Sequence, residues 1–151
     1  LRSKLQQLTG RDFKTKSDTE VVLRAYLHWG TECFEKFTGM WAIAIWDYRR
    51  HRLILSRDPF GIKPLYYHIS QKGLVFGSEI KALRTYDKVQ TASAQGVYNF
   101  MMRGRSGLNN GSIYNGIFQI PAASFVAVDQ NTISCQDLGK PFRNEFVNKF
   151  W

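Results

Sequence analysis

The stretch that most constrains the fold is residues 37–83, FTGMWAIAIWDYRRHRLILSRDPFGIKPLYYHISQKGLVFGSEIKAL. Residues 39–47 carry apolar side chains on both faces, which predicts a strand sandwiched between two layers. Further strands are predicted at 53–56, 65–69 and 74–77, and turns of four or five residues join most of them. Because tight turns connect antiparallel rather than parallel strands, we expect antiparallel sheets with helices packed outside them.

Residues 57–64, RDPFGIKP, are expected to form a structured loop within this stretch. Its two prolines lack a backbone N–H, and its glycine permits a strained backbone angle. Arg57 and Asp58 are adjacent opposite charges at the start of the loop. We favour a loop-bracing role for them, in which they pair with the backbone and with neighbours. The alternative is that they line a cleft.

A helix is predicted to begin at the sequence SDTE and to run to about Trp29. Ser17 fits the N-cap and Glu20 fits the third helical position of a capping box, whose side chain reaches back to the cap. Asp18 lies in the first turn, where a negative charge is favoured by the helix dipole. That role is the commoner one for a carboxylate at this position, and the alternative is that Asp18 binds the ammonium group of a ligand. Residues 13–16 alternate as in a short strand.

The rest of the chain has weaker signals. Predicted elements are a helical turn at 78–83, a helix at 92–102, strands at 113–118 and 124–129, a hairpin turn at 129–132 followed by a returning strand, and a final short helix or linker in the last ten residues. No internal repeat is visible, and 151 residues fit one domain.

A formal net charge of +9 is compatible with binding to nucleic acid. The basic residues are dispersed, however, and the densest run, YRRHR, falls in a predicted turn. We therefore expect no nucleic-acid partner. No apolar run approaches the roughly 20 residues of a membrane span, so no membrane partner is expected either. Cys33 and Cys135 make no disulfide framework or metal-ligand spacing. A cytoplasmic location is the default.

Signals of catalysis are sparse. His28, His51 and His68 are far apart and share no motif with a nucleophile. The sequence GSIYNG at 111–116 has two glycines without a strand-to-helix context, so it is a weak phosphate-binding candidate. No metal site is predicted.

Four segments in order closely resemble one family: FKTKSDTEVVLRAYLHWG, FTGMWAIAIWD, LSRDPFGIKPLYY and FGSEIKAL. They are similar to the glutamine amidotransferase domain of glutamine-hydrolysing asparagine synthases, and IYNGIFQIPAASFVAV resembles the segment near the end of that domain. The resemblance implies an α+β fold of the N-terminal-nucleophile type, with four αββα layers, antiparallel sheets and the N-terminal strands missing. It also implies that Asp18 helps to bind the amino group of glutamine.

The family's nucleophile is an amino-terminal cysteine whose own α-amine acts as base, and Asn-Gly groups form its oxyanion hole. These groups, and an arginine that holds the substrate carboxylate, would precede Leu1. Cys33 is internal and has no free α-amine, so no catalytic residue is assigned. Residues 122–124 depart from the Pro-Gly-His-like pattern of the family. No cofactor is expected in this chain, because ATP and magnesium belong to a synthetase domain that would follow Trp151.

These inferences predict a partial glutamine amidotransferase domain at 1–140 and the start of a linker at 141–151. The function they predict is release of ammonia from glutamine for ATP-dependent amidation of aspartate, with this chain alone inactive. The alternatives are a non-catalytic pseudo-amidotransferase or interaction module and, on charge alone, a nucleic-acid-binding domain. Glutamine is the expected partner, and a homodimer of the full-length protein is left open.

Overall fold

A computed structural model describes residues 1–87, 91–104, 111–129 and 140–150. These residues fall into two compact units, Leu1–Gly39 with Phe150, and Met40–Lys149. Among the helices of these ranges, none has the length and apolar character that crossing a membrane requires.

The first unit is helical. It contains α1 (Arg2–Thr9), α2 (Asp18–Trp29) and a 3-10 helix (Gly30–Lys36). Both α1 and the 3-10 helix pack against α2. The side chains buried in this unit are Leu5, Ala25, Tyr26, Cys33 and Phe34.

The start of α2 confirms one half of the predicted capping box and corrects the other. Ser17 is the N-cap, and its hydroxyl accepts a hydrogen bond from the Thr19 N–H. The Glu20 carboxylate instead accepts from the N–H groups of Lys14 and Thr15. The strand predicted at 13–16 is therefore wrong, because a side chain occupies the backbone donors that a neighbouring strand would need.

The second unit contains two antiparallel sheets and two helices. Its elements are β1 (Ala42–Asp47), β2 (Arg52–Arg57), β3 (Tyr66–Ser70), β4 (Gly73–Gly77), α3 (Ile80–Asp87), α4 (Ala94–Arg103), β5 (Ile117–Gln119), β6 (Ser124–Val128) and β7 (Val147–Lys149). One sheet has the order β1-β2-β6-β7 and the other β4-β3-β5. This mixture of helices and antiparallel sheets confirms the predicted α+β class.

The core of the second unit lies between its two sheets. Leu55 and Val126 of the first sheet pack with Tyr67 and Ile69 of the second, and all four are almost fully buried. Helix α3 packs on β3 and β4. The fully buried Leu83 of α3 lies close to Gly77, within 3.3 Å of where a Cβ would stand.

The prediction that residues 39–47 form a doubly covered strand is wrong. Among the described strands, β1 lies at one edge of its sheet, and the Trp46 side chain on one of its faces is 58% exposed. The strand buried on both faces is β2, where consecutive residues Ile54 and Leu55 point to opposite faces and are both 0% exposed. The apolar pattern alone does not distinguish an edge strand from its neighbour.

The end of the chain joins the sheet rather than forming a helix. After a 3-10 turn at Asn144–Phe146, β7 pairs with β6. Phe142 stacks on Tyr67 with ring centroids 4.3 Å apart, and its N–H donates to the Tyr67 hydroxyl at 2.8 Å. The strand predicted after residue 132 and Cys135 lie outside the described residues, and the domain boundary at residue 140 stays a prediction.

Candidate functional site

Arg57 is the first residue of the RDPFGIKP loop, and its side chain stabilises the loop. Its guanidinium donates to the carbonyl oxygens of Lys63 at 2.8 Å, Ile120 at 2.9 Å and Gly61. The side chain is 8% exposed. Burial lowers the pKa of Arg57, and the neighbouring Asp58 carboxylate opposes that shift. One fixed cation thus ties both ends of the loop to the segment before β6.

The Asp58 carboxylate stabilises the same loop by accepting hydrogen bonds from its backbone. Oδ1 accepts from the N–H groups of Phe60 at 3.1 Å and Ile62 at 3.0 Å, and Oδ2 accepts from Lys63 N–H at 2.9 Å. Asp58 is 0% exposed. Burial by itself raises the pKa of this carboxyl, but the backbone donors, Lys63 first, outweigh it and hold the pKa below its ordinary value. The carboxylate is therefore ionised at neutral pH, where its charge strengthens these hydrogen bonds.

The backbone around the loop is equally constrained. Asp58 N–H donates to Trp41 O, and Asp58 O accepts from Gly61 N–H and Ala123 N–H, each at 3.0 Å. Gly61 has φ 62, and a Cβ there would lie 3.1 Å from the Ala122 Cβ and from Cζ of Arg57. Only glycine combines this backbone conformation with so little space.

The braced loop projects two apolar side chains. Phe60 is 71% exposed and Ile62 is 57% exposed. Arg57 and Asp58 are both buried, and their side chains are hydrogen-bonded to the backbone. Their polar atoms are therefore not available to a ligand as those of an exposed side chain would be. What the loop offers chemically is a rigid apolar surface rather than a reactive group.

Asp18 belongs to the helical unit, and the braced loop belongs to the second unit. It is the first residue of α2 and is exposed. Over the described ranges, no hydrogen bond or ion pair occupies its carboxylate. A free carboxylate in this position can accept N–H donors from a ligand.

The three histidines do not come together as a catalytic group. His28 lies in the last turn of α2, with its ring 5.0 Å from that of Trp29. His51 lies in the β1–β2 turn at φ 48. His68 is buried in β3, and its Nδ1–H donates to the carbonyl of Gly116 at 2.7 Å. In the part of the chain that the structure covers, no group of three or more His, Cys, Asp or Glu side chains could hold a metal ion.

Cys33 is unsuited to act as a nucleophile. It is 0% exposed, and burial raises its pKa to about 12. A thiol rather than a thiolate is therefore present at neutral pH, and the thiolate is the reactive form.

Comparison with known proteins decides the family. The family model described as "Glutamine amidotransferase domain" matches residues 1–138 of the 151. The chain belongs to this family. The predicted family resemblance is thereby confirmed over residues 1–138.

Asparagine synthetases are among the relatives of this amidotransferase domain. The glutamine-hydrolyzing asparagine synthetase 3 of Bacillus subtilis strain 168 is 34% identical over 115 residues, which is 76% of this chain and 19% of the relative. Asparagine synthetase 1 of the same organism is 47% identical over 83 residues, 55% of this chain and 13% of that protein. Asparagine synthetase 2 is 46% identical over 71 residues, 47% of this chain and 10% of its own length. The chain spans less than a fifth of the length of each.

Sequence reasoning predicted a loop-bracing role for Arg57 and Asp58 but missed the groups that complete the loop, and the role predicted for Asp18 stays a prediction. Ile120 and Ala123 contribute backbone atoms from more than sixty residues away. Every residue has backbone atoms, so the residue types at these positions do not reveal that they bond to the loop. The one available signal was the glycine in RDPFGIKP, which indicates a close approach without saying to what.

Proposed function

We propose that this chain is part of the glutaminase domain of a glutamine-hydrolysing asparagine synthetase, in which the domain releases ammonia for ATP-dependent amidation of aspartate. The observation that carries the proposal is the family match over residues 1–138 together with asparagine synthetase relatives at 34–47% identity. The finer fold we propose is the four-layer αββα arrangement. The two stacked sheets, with α3 packed on the sheet that contains β3 and β4, support it.

The proposed substrate contact is Asp18. Its exposed carboxylate, with no partner among the described residues, supports binding of the glutamine ammonium group. In the intact protein, Asp18→Ala is expected to raise KM for glutamine and to leave ammonia-dependent synthesis unchanged. Glu35→Ala, which removes an exposed carboxylate from the 3-10 helix of the same unit, is the matched control. An unchanged KM for glutamine in Asp18→Ala would remove this residue from the site.

We further propose that the 151-residue chain alone does not hydrolyse glutamine. Support comes from Cys33, which is internal, buried and protonated at neutral pH. An assay of ammonia release by the isolated chain should give only background. Release above background would contradict the proposal, and its loss in Cys33→Ser would contradict the role assigned to Cys33. ATP and magnesium are proposed to act only in a synthetase domain outside these residues.

A second candidate, a non-catalytic interaction module, is favoured by one observation. Helix α4 exposes Val97, Tyr98, Phe100, Met101 and Met102 by 43% to 76%. Apolar exposure of this kind is typical of a surface that another protein covers. The intact protein distinguishes the two candidates, because a non-catalytic module would release no ammonia from glutamine even when correctly folded.

A further inference from the structure

The segment before α2 has no regular secondary structure, yet it is held in one conformation. The Phe13 ring lies between two guanidinium groups, with Arg2 Cζ 4.3 Å and Arg24 Cζ 4.2 Å from its centroid. Arg2 also donates to the carbonyl oxygens of Thr15 at 2.7 Å and Ser17 at 2.9 Å. Stacking on an aromatic face and donating to backbone carbonyls together fix the path of this segment.

Glu20 fixes the same segment from the helix. Its carboxylate accepts from Lys14 N–H at 3.0 Å and Thr15 N–H at 2.7 Å, and these donors lower its pKa to about 2, with the Lys14 bond first among the causes. Arg24 pairs with Glu20 at 2.8 Å and donates to Arg11 O at 2.9 Å. The charge of Arg24 is therefore already partnered, and its role is to position the segment.

The segment forms one wall of a groove of about 650 Å³ whose lining residues all belong to the helical unit. The lining consists of Thr9, Arg11, Asp12, Lys14, Arg24, Leu27 and His28. A groove of this size is within the range that small ligands occupy.

The groove has uncompensated positive charge. Arg11 and Lys14 are exposed, and within the ranges that the structure covers neither side chain makes an ion pair or hydrogen bond. Asp12 is the one acidic side chain in the lining, and its carboxylate accepts from Gln6 Nε2. Leu27, which is 74% exposed, supplies an apolar wall.

We propose that this groove binds a small organic anion that carries a phosphoryl group. The planar guanidinium of Arg11 suits bidentate contact with phosphoryl oxygens, and the Lys14 ammonium adds a second point charge. The Leu27 wall takes the organic part of the ligand. The fixed backbone of the segment reduces the ordering that binding requires. This site is separate from the proposed glutamine contact at Asp18 and does not depend on it.

The test uses the full 151-residue chain and phenyl phosphate as the probe, followed by ¹H–¹⁵N NMR at low ionic strength. We expect amide shifts at Arg11, Lys14, Leu27 and His28, and binding in the millimolar range, as exposed charges allow. Phenol, which lacks the phosphoryl group, should give no shifts at these positions. Inorganic phosphate, which lacks the ring, should bind more weakly than phenyl phosphate.

The double variant Arg11→Gln/Lys14→Gln should weaken binding about fivefold or more while its spectrum shows an intact fold. The control, Arg49→Gln/Lys63→Gln, removes the same charge from exposed positions of the other unit and should leave binding within twofold of the wild type. Equal weakening in both variants would show attraction to the general +9 charge and overturn the site. Absence of amide shifts at a phenyl phosphate concentration 20-fold above a Kd of about 1 mM would also overturn the site. Binding of phenol as tight as that of phenyl phosphate would overturn it too.

Discussion

Replacing Asp58 by asparagine removes one acceptor oxygen from beneath the braced loop without changing the size of the side chain. In the native protein, Oδ1 accepts from Phe60 and Ile62 N–H at 3.1 and 3.0 Å, and Oδ2 accepts from Lys63 N–H at 2.9 Å. An asparagine that keeps its oxygen toward the first two donors turns an NH2 group toward the third. Two donors then face each other in a site that is 0% exposed.

The size of the effect follows from these three contacts. A buried N–H without an acceptor costs about 1–3 kcal/mol. The two remaining hydrogen bonds no longer have a charged acceptor, which roughly halves their strength. We therefore expect Asp58→Asn to lower the free energy of unfolding by about 3 kcal/mol. For a chain of this length, that corresponds to a fall in Tm of about 6–12 °C.

Urea unfolding at pH 7, followed by tryptophan fluorescence, measures the loss. The matched control is Glu35→Gln, which neutralises an exposed carboxylate and should change the free energy of unfolding by less than about 0.5 kcal/mol. A loss below about 1 kcal/mol for Asp58→Asn would refute the reasoning, because it would mean that the Lys63 N–H finds another acceptor.

The pH dependence gives a second check on the same variant. The pKa of Asp58 lies below its ordinary value in the folded protein. Its ionised form therefore stabilises the fold fully above the unfolded pKa of about 3.9, and this contribution is lost as the pH falls through the lower folded pKa. The difference between wild type and Asp58→Asn should be constant from about pH 7 to 5 and should shrink below about pH 4. A difference that grows on acidification would contradict the assignment.

Four further predictions concern single groups. Ala123 has φ 55, a conformation that costs an L-residue about 1–2 kcal/mol. Ala123→Gly should therefore raise the free energy of unfolding in urea by about 0.5 kcal/mol after the entropy of glycine is subtracted, and a net loss above about 1 kcal/mol would contradict this. Tyr67→Phe leaves the buried Phe142 N–H without its acceptor and should lower the free energy of unfolding by about 1–3 kcal/mol in the same assay. Cys33, with a pKa of about 12 because it is buried, should resist iodoacetamide at pH 8 until the chain is unfolded, as read by peptide mass spectrometry. Glu20 should titrate at about 2 by ¹³C NMR because backbone N–H donors favour its ionised form, and a midpoint above 4 would exclude those hydrogen bonds.

Local signals in the sequence were enough to predict most elements of this fold. The N-cap at Ser17 and the positive-φ glycine at Gly30 bound α2 within a residue of the prediction. The β1–β2 turn is organised by Asp47, whose carboxylate accepts from the N–H groups of Arg49 and Arg50 at 3.1 Å. Each of these features is determined by residues a few positions apart, which is the range over which residue patterns are informative.

Features that depend on distant segments were not predictable in the same way. The apolar pattern of β1 is genuine, but in the described sheet β1 pairs with β2 alone, whereas β2 has β6 on its other side and is therefore interior. The last residues show no strand pattern, yet β7 forms because β6 offers a free edge. The position of a strand within a sheet depends on partner strands that lie far away in the sequence. The residue types of the strand itself do not specify those partners.

The residues at 122–124 show how the braced loop tolerates a change of sequence. The family resemblance leads one to expect a Pro-Gly-His-like pattern there, and the chain has Ala122, Ala123 and Ser124 instead. Ala123 nevertheless adopts the positive φ that glycine favours, and its N–H donates to Asp58 O at 3.0 Å. That bond, with the Arg57 bond to Ile120 O, imposes the backbone path from outside the segment. Arg57 and Asp58 therefore hold Ala123 in a conformation that favours glycine, and the strain at Ala123 is the physical consequence.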